Sequence, residues 1–157
     1  MTRIILLGCA GAGKTTLARR LAAATAAPLI DLDEIWRARS QTTPEFRDTL
    51  ARLHAGEAWV SDGNFAAVTF DIRLPRADLV VWLERPRLVC AWRAISRVFR
   101  AGEMHRPGDL LTVLRFIWGF NRRNRPRIEA ARAQYGAEIP VVRLRTDREV
   151  DDFVASL

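Results

Sequence analysis

The 157-residue sequence has no apolar run near the roughly 20 residues that a membrane-spanning helix needs. Its two cysteines, Cys9 and Cys90, are too few for a disulfide framework or a cysteine-built zinc site. Met1-Thr2-Arg3 is followed by only four apolar residues before Gly8, too short a stretch for the core of a signal peptide. Together these absences read as a cytoplasmic protein. No low-complexity tract, internal repeat or linker interrupts the sequence. Lysine is nearly missing: of 25 basic residues, 24 are arginine and one is Lys14. With 49% hydrophobic and 27% charged residues the composition is globular. A chain of this size buries about 68–70% of its unfolded surface, so one domain over residues 1–157 can form without covalent staples.

The net charge of +7 is unevenly placed. Between Arg85 and Arg132 there are 12 arginines against three acids, Glu103, Asp109 and Glu129, a local balance of +9. The remainder of the chain is slightly acidic. Such a segment suits nucleic acid, or the phosphates of a nucleotide.

Apolar runs and helical periodicities alternate. Ile4–Leu7, Pro28–Ile30, Ala58–Ser61, Asp78–Leu83 and Ile139–Leu144 read as five strands. Between and after them, Lys14–Ala24, Pro44–His54, a stretch from Pro86 to about Gly102, Asp109–Phe120, Pro126–Tyr135 and Asp147–Ala155 read as helices. This alternation predicts an α/β fold, a parallel sheet covered by helices on both faces.

Gly8-Cys9-Ala10-Gly11-Ala12-Gly13-Lys14-Thr15 fits G-x-x-x-x-G-K-[ST] in full, between a strand and a helix. Gly8, Gly11, Ala12 and Gly13 let backbone N–H groups curl round a phosphate at a helix N-terminus. Lys14 is placed to reach the β- and γ-phosphates, the Thr15 hydroxyl to ligate Mg²⁺, and Thr16 to touch the α-phosphate. The one lysine stands where a compact ammonium fits better than a planar fork. Cys9 reads as a small filler.

Ligands of open parallel sheets gather beyond the carboxyl ends of the strands. Two strands there lead into acids: Asp31 and Asp33, and Asp62. If the backbone stays extended, Asp31 and Asp33 point the same way. One can then serve Mg²⁺ while the other orients or deprotonates an acceptor hydroxyl. The alternative is local: Asp33 capping the next helix, Asp62 opening a turn with Gly63.

Together these pieces resemble the adenylate-kinase-like branch of P-loop kinases, and more closely the small bacterial DNA topology modulation proteins. The resemblance is carried by Gly8–Thr15, Leu32-Asp33 with Trp36, Trp59–Asn64, Asp71-Ile72-Arg73, Leu83–Pro86, Arg93, Arg97, Arg106-Pro107, Arg125-Pro126 and Arg143-Leu144-Arg145. It implies a P-loop NTPase three-layer sandwich with a five-stranded parallel sheet in order 2-3-1-4-5. It also implies ATP and Mg²⁺ as ligands, an arginine-rich helical lid at about 98–125, and an acceptor site near Asp33 and Asp62. Arg93, Arg97 and Arg106 match the arginines that clamp the transferring phosphate, Arg122 or Arg125 the return helix, and Arg145 the loop beside the adenine. Asn64-Phe65 stands where adenylate kinases carry Phe-Pro-Arg. The metal set is then Thr15, Asp31 and Asp62, and the catalytic set Lys14, Asp33, Arg93, Arg97, Arg106 and Arg125.

Two functions follow as expectations. One is phosphoryl transfer from ATP to a small-molecule acceptor, catalysed by positioning and charge stabilisation. The other is a nucleic-acid-binding protein that uses nucleotide as a switch, its basic segment interleaved with Trp92, Phe99, Phe116, Trp118 and Phe120. The i, i+4 spacing of Phe116 and Phe120 is that of a core stripe.

Overall fold

The computed structural model describes residues 2–38, 42–100 and 107–157, without the side chains of residues 98–100 and 107–109. β1 (Thr2–Gly8) pairs in parallel with β3 (Ala58–Asp62) on one side and β4 (Leu79–Leu83) on the other. β2 (Leu29–Asp31) extends the sheet beyond β3, and β5 (Val141–Leu144) beyond β4. The order is β2-β3-β1-β4-β5, as the resemblance implied. A central strand must be apolar on both faces. Ile4, Ile5, Leu6 and Leu7 are each 2% exposed or less.

Parallel strands need crossovers, and these are right-handed. The step from β1 outward to β2 puts α1 (Lys14–Thr25) on one face. The steps from β2 to β3, β3 to β4 and β4 to β5 run the other way. They put α3 (Thr43–Leu53), α4 (Ala66–Arg73), α5 (Arg87–Arg100) and α6 (Pro107–Tyr135) on the opposite face. Packing agrees: α4 contacts α3 and α6, α5 contacts α6, and α7 (Asp147–Ala155) lies against α1. Between the layers sit the fully buried Trp59, Phe46 and Phe70.

Three expectations about elements change. β2 gives way directly to α2 (Leu32–Ala38), so the extended backbone presumed through Asp33 ends at Asp31. α4 was not predicted. It has only eight residues and follows Phe65 at φ 29° with no side-chain cap, so no start signal precedes it. The two helices predicted at 109–120 and 126–135 are one 29-residue helix with Pro126 inside. Proline removes one i→i−4 bond and crowds the preceding turn, at about 3 kcal/mol or more. Buried Ile117 and Phe120 before it and Ile128 after it anchor both halves to the core. Other helix starts are set locally: Pro44 stands in the first turn of α3 between Thr42 and Glu45, which form a capping box, and Thr146 caps α7 by accepting from Glu149 N–H at 3.1 Å. Among the described residues no helix is long and apolar enough to cross a membrane.

Candidate active site

The glycine-rich loop joins β1 to α1, at the edge of the sheet where the strands end. Gly11 and Gly13 adopt φ 77° and 98°, left-handed values that favour glycine. Space demands glycine as well. A Cβ on Gly11 would collide with the Cys90 carbonyl oxygen of α5, and one on Gly13 would lie 3.4 Å from Arg93 Nη1. Lys14 Nζ donates to the Cys9 carbonyl at 3.1 Å, so the ammonium lies on the loop itself. The loop's root is held from the segment after β3: Asn64 Oδ1 accepts from Gly8 N–H at 3.2 Å, and Asn64 Nδ2 donates to Gly8 O at 2.9 Å.

Thr15 donates its hydroxyl to Asp62 Oδ2 at 2.7 Å. Asp62 is 3% exposed and its Oδ1 is buried without a partner. Burial pushes the carboxyl above the usual carboxylate range, Asp31 and Asp33 push the same way, and the Thr15 hydrogen bond and Lys14 pull it back. An unpartnered buried carboxylate oxygen beside a hydroxyl is an oxygen-only donor pair suited to a hard cation. Among the described residues no group of three His, Cys, Asp or Glu side chains could hold a metal alone. Phosphate oxygens and water would therefore complete the shell, which fits Mg²⁺ and its habit of keeping waters.

A cavity of about 850 Å³ opens over the loop. Gly11 to Thr16 line it, with Leu17 and Arg20 of α1, Trp92, Arg93, Ser96 and Arg97 of α5, and Asp33, Arg85, Asp147 and Val150. Of the residues expected at the site, this brings together Gly11, Ala12, Gly13, Lys14, Thr15, Thr16, Asp33, Arg93 and Arg97. Gly8 lies at the loop's root, and Asp62 reaches the site through Thr15.

Others are placed elsewhere. Asp31, not Asp33, caps α2, accepting from Glu34 N–H at 3.0 Å. Asp31 lines a second, smaller cavity of about 350 Å³, although its strand register sets it beside Asp62. Asp31 and Asp33 diverge because the chain turns helical at Leu32, which ends the strand's alternation. Arg125 is not among the residues that line the cavity. It pairs with Glu84 at 3.0 Å and Glu129 at 3.1 Å, its guanidinium 5.6 Å from the Trp82 ring centre. Arg143 flanks the same ring and also pairs with Glu84. Arg145 is exposed, its Nε 3.5 Å from Glu84. Arg106 lies outside the described residues.

The residues that sequence reasoning missed form the support beneath the loop. Arg73 is fully buried and donates to Thr69 Oγ1, Ser61 Oγ, Gly63 O and Asn64 O at 2.8–3.2 Å. Burial lowers its pKa to about 9, against the pull of the Asp62 charge. His54 is buried beside it. Its Nδ1 faces the Leu50 carbonyl at 2.8 Å and must donate, which leaves Nε2 to accept from Ser61 Oγ at 2.9 Å. Burial holds this imidazole neutral, with a pKa of about 4. In the sequence Arg73 stands out only within the Asp71-Ile72-Arg73 stretch of the resemblance, which gives it no role.

No family model matches the chain, and no curated protein matches it. Solved structures do. A shikimate kinase from Acinetobacter baumannii, in complex with shikimate, superposes with a TM-score of 0.60 at 20% identity, over 99% of this chain and 90% of that one. A shikimate kinase from Bacteroides thetaiotaomicron gives 0.58 at 22%, over 99% and 95%. The fold is that of the P-loop kinases. At these identities the likeness is one of architecture, and the P-loop kinase fold leaves the reaction to be argued from the site.

Proposed function

We propose that this protein is a phosphotransferase that moves the γ-phosphoryl group of ATP to a hydroxyl of a small-molecule acceptor. The observation that carries this reading is a single cavity that holds the phosphate loop with Lys14, the carboxylate of Asp33, and the guanidiniums of Arg93 and Arg97. A loop alone would suit any nucleotide binder. An acid facing the same cavity gives an acceptor hydroxyl something to be oriented by.

In this reading the loop N–H groups and Lys14 hold the β- and γ-phosphates. Thr15 and Asp62 would hold Mg²⁺, which when bound offsets charge on the phosphate oxygens. Asp33 accepts the hydroxyl's hydrogen bond, aligns its oxygen with the γ-phosphorus and takes up its proton as the new O–P bond forms and the bond to the departing ADP breaks. Arg93 and Arg97 meet the equatorial oxygens, where charge accumulates as the phosphoryl group moves, and Arg106 joins them as a lid residue by the resemblance. Arg125, tied to Glu84 and Glu129, is a scaffold residue. Membership of the adenylate-kinase-like branch, and kinship with the DNA topology modulation proteins, belong to the same proposal. Their support is the Asp62-Gly63-Asn64 stretch, whose first and last residues touch Thr15 and Gly8.

A nucleic-acid role draws support from Trp92 and Trp118, 69% and 51% exposed within the basic segment. Trp92, however, lines the cavity. Phe120 is buried, with Phe116 edge-on to it at 5.7 Å. Three of the segment's twelve arginines are also already paired, Arg85 and Arg93 with Asp147 and Arg125 with Glu84.

The test is ADP release with MgATP across nucleosides, nucleotides, sugars and hydroxy acids. Turnover of at least one acceptor, lost in Lys14→Ala and in Asp33→Asn, is expected. No Lys14-dependent turnover on any of them, with tight DNA or RNA binding that persists near physiological salt, would put the nucleic-acid reading in its place.

A further inference from the structure

Asp147, on the first turn of α7, is gripped by two guanidiniums from the far side of the cavity. Arg85 Nη2 donates to its Oδ1 at 2.6 Å, and Arg93 Nη2 donates to both oxygens at 3.0 and 2.9 Å. Arg85 is the anchor: its side chain is 6% exposed, and Nη1 also donates to the Arg145 carbonyl at 3.0 Å. Arg93 is the arm. With Nη2 spent on Asp147, Nη1 overhangs the phosphate loop, 3.4 Å from where a side chain on Gly13 would begin. Among the described residues Nη1 has no hydrogen bond of its own. A second donor is idle nearby, since Arg85 Nε is buried without a partner on a residue that lines the same cavity. Of the two, Arg93 Nη1, on a side chain 35% exposed, is the donor that a polyanionic ligand would take up. The hydrogen bond from Arg93 and the charge of Arg85 hold the Asp147 carboxyl below the usual carboxylate range.

We propose that Asp147 is a positioning residue of the donor site: anchored by Arg85, it fixes Arg93 with Nη1 free above Gly13, so the nucleotide's terminal phosphates meet a guanidinium already in place. This rests on the reading of the cavity as an ATP site. A free arginine would sample many rotamers and lose that freedom on binding; one held by a carboxylate has lost it beforehand. The residue acts through Arg93 and touches no reacting atom.

The test is calorimetry of Mg²⁺ with ATP, ADP and AMP on the full chain carrying Asp147→Asn, Arg93→Ala, or both. Asp147→Asn is expected to weaken ATP about tenfold, the worth of a charged hydrogen bond, to weaken ADP less and to leave AMP unchanged. Arg93→Ala weakens ATP at least as much, and the double variant is no weaker than Arg93→Ala alone. Asp147→Glu recovers most of the loss. Additive losses in the double variant, an equal loss for AMP, or tighter ATP binding by Asp147→Asn would each overturn the proposal, the last by making the ion pair a latch. Should Asp147→Asn not fold, Asp147→Ser with Arg93→Ala, singly and together, closes the same cycle. Lys14→Ala is measured alongside. If it binds ATP as well as the unaltered chain, the ATP-site reading itself fails, whatever the Asp147 variants do.

Discussion

Asn64 offers the sharpest probe of how the fold holds its phosphate loop. Its side chain makes two hydrogen bonds to the backbone of Gly8, which is buried at the end of β1. Asn64→Ala removes both partners and leaves a buried N–H and a buried C=O unsatisfied. Each such group costs about 1–3 kcal/mol, so the pair predicts a loss of about 2–4 kcal/mol after partial relaxation. For a chain of this length about 1 kcal/mol moves the melting temperature by about 2–4 °C, so a drop of about 5–15 °C is expected. The loosened loop must also be ordered by its ligand, and MgATP affinity is expected to fall about three- to tenfold. Asn64→Asp keeps an acceptor for Gly8 N–H but sets a carboxylate against Gly8 O and near Asp62, so it should do no better. Thermal melting and calorimetry on the same samples decide the matter. Stability within about 0.5 kcal/mol of the parent, with unchanged affinity, would refute the clamp.

Further predictions follow from the same support. Arg73→Met strands four acceptors and is expected to cost about 3–5 kcal/mol in urea unfolding, with little recovered by Arg73→Lys; a loss below about 1 kcal/mol would contradict the network. His54 has a folded pKa of about 4, below its unfolded value near 6.5, so the unfolded chain takes the proton first. Its contribution is therefore complete above about pH 6.5, is lost as pH falls toward 4, and amounts to about 3 kcal/mol. Subtracting the pH–stability curve of His54→Gln isolates it, and parallel curves would remove it. Gly11→Ala drives a methyl into the Cys90 carbonyl at a left-handed φ, and is expected to weaken MgATP at least about tenfold. Retained affinity would mean that the loop and α5 can part freely.

The sheet was legible because its signals are local and redundant. Ile4–Leu7 is too apolar for a half-exposed strand, and Gly8–Thr15 marks both the end of β1 and the start of α1. What escaped was decided at a distance. α4 is held by Arg73 bonding back to residues 61–64 and by Arg47 pairing with Asp71 at 2.5 Å, contacts that no local pattern encodes. Pro126 read as a helix start because proline favours the first turn, whereas tertiary burial on either side carries α6 through it. At the site, the residue types in the loop dictated their own places. The arginines did not: with 24 of them, the sequence says little about which faces the cavity and which, like Arg125, closes on Glu84 instead. Arg93 and Asp147 are 54 residues apart, and only the pairing of β4 with β5 makes them neighbours.

Every role proposed for this chain requires the loop between β1 and α1 to be a magnesium-nucleotide site. Titrating ATP into the full-length protein by calorimetry, with Mg²⁺ and then with EDTA, tests this most directly. The prediction is one site per chain, weakened at least about tenfold when Mg²⁺ is withdrawn and again when Lys14 is replaced by alanine. Absence of heat with Mg²⁺ and ATP, or affinity that ignores both the metal and Lys14, would contradict it.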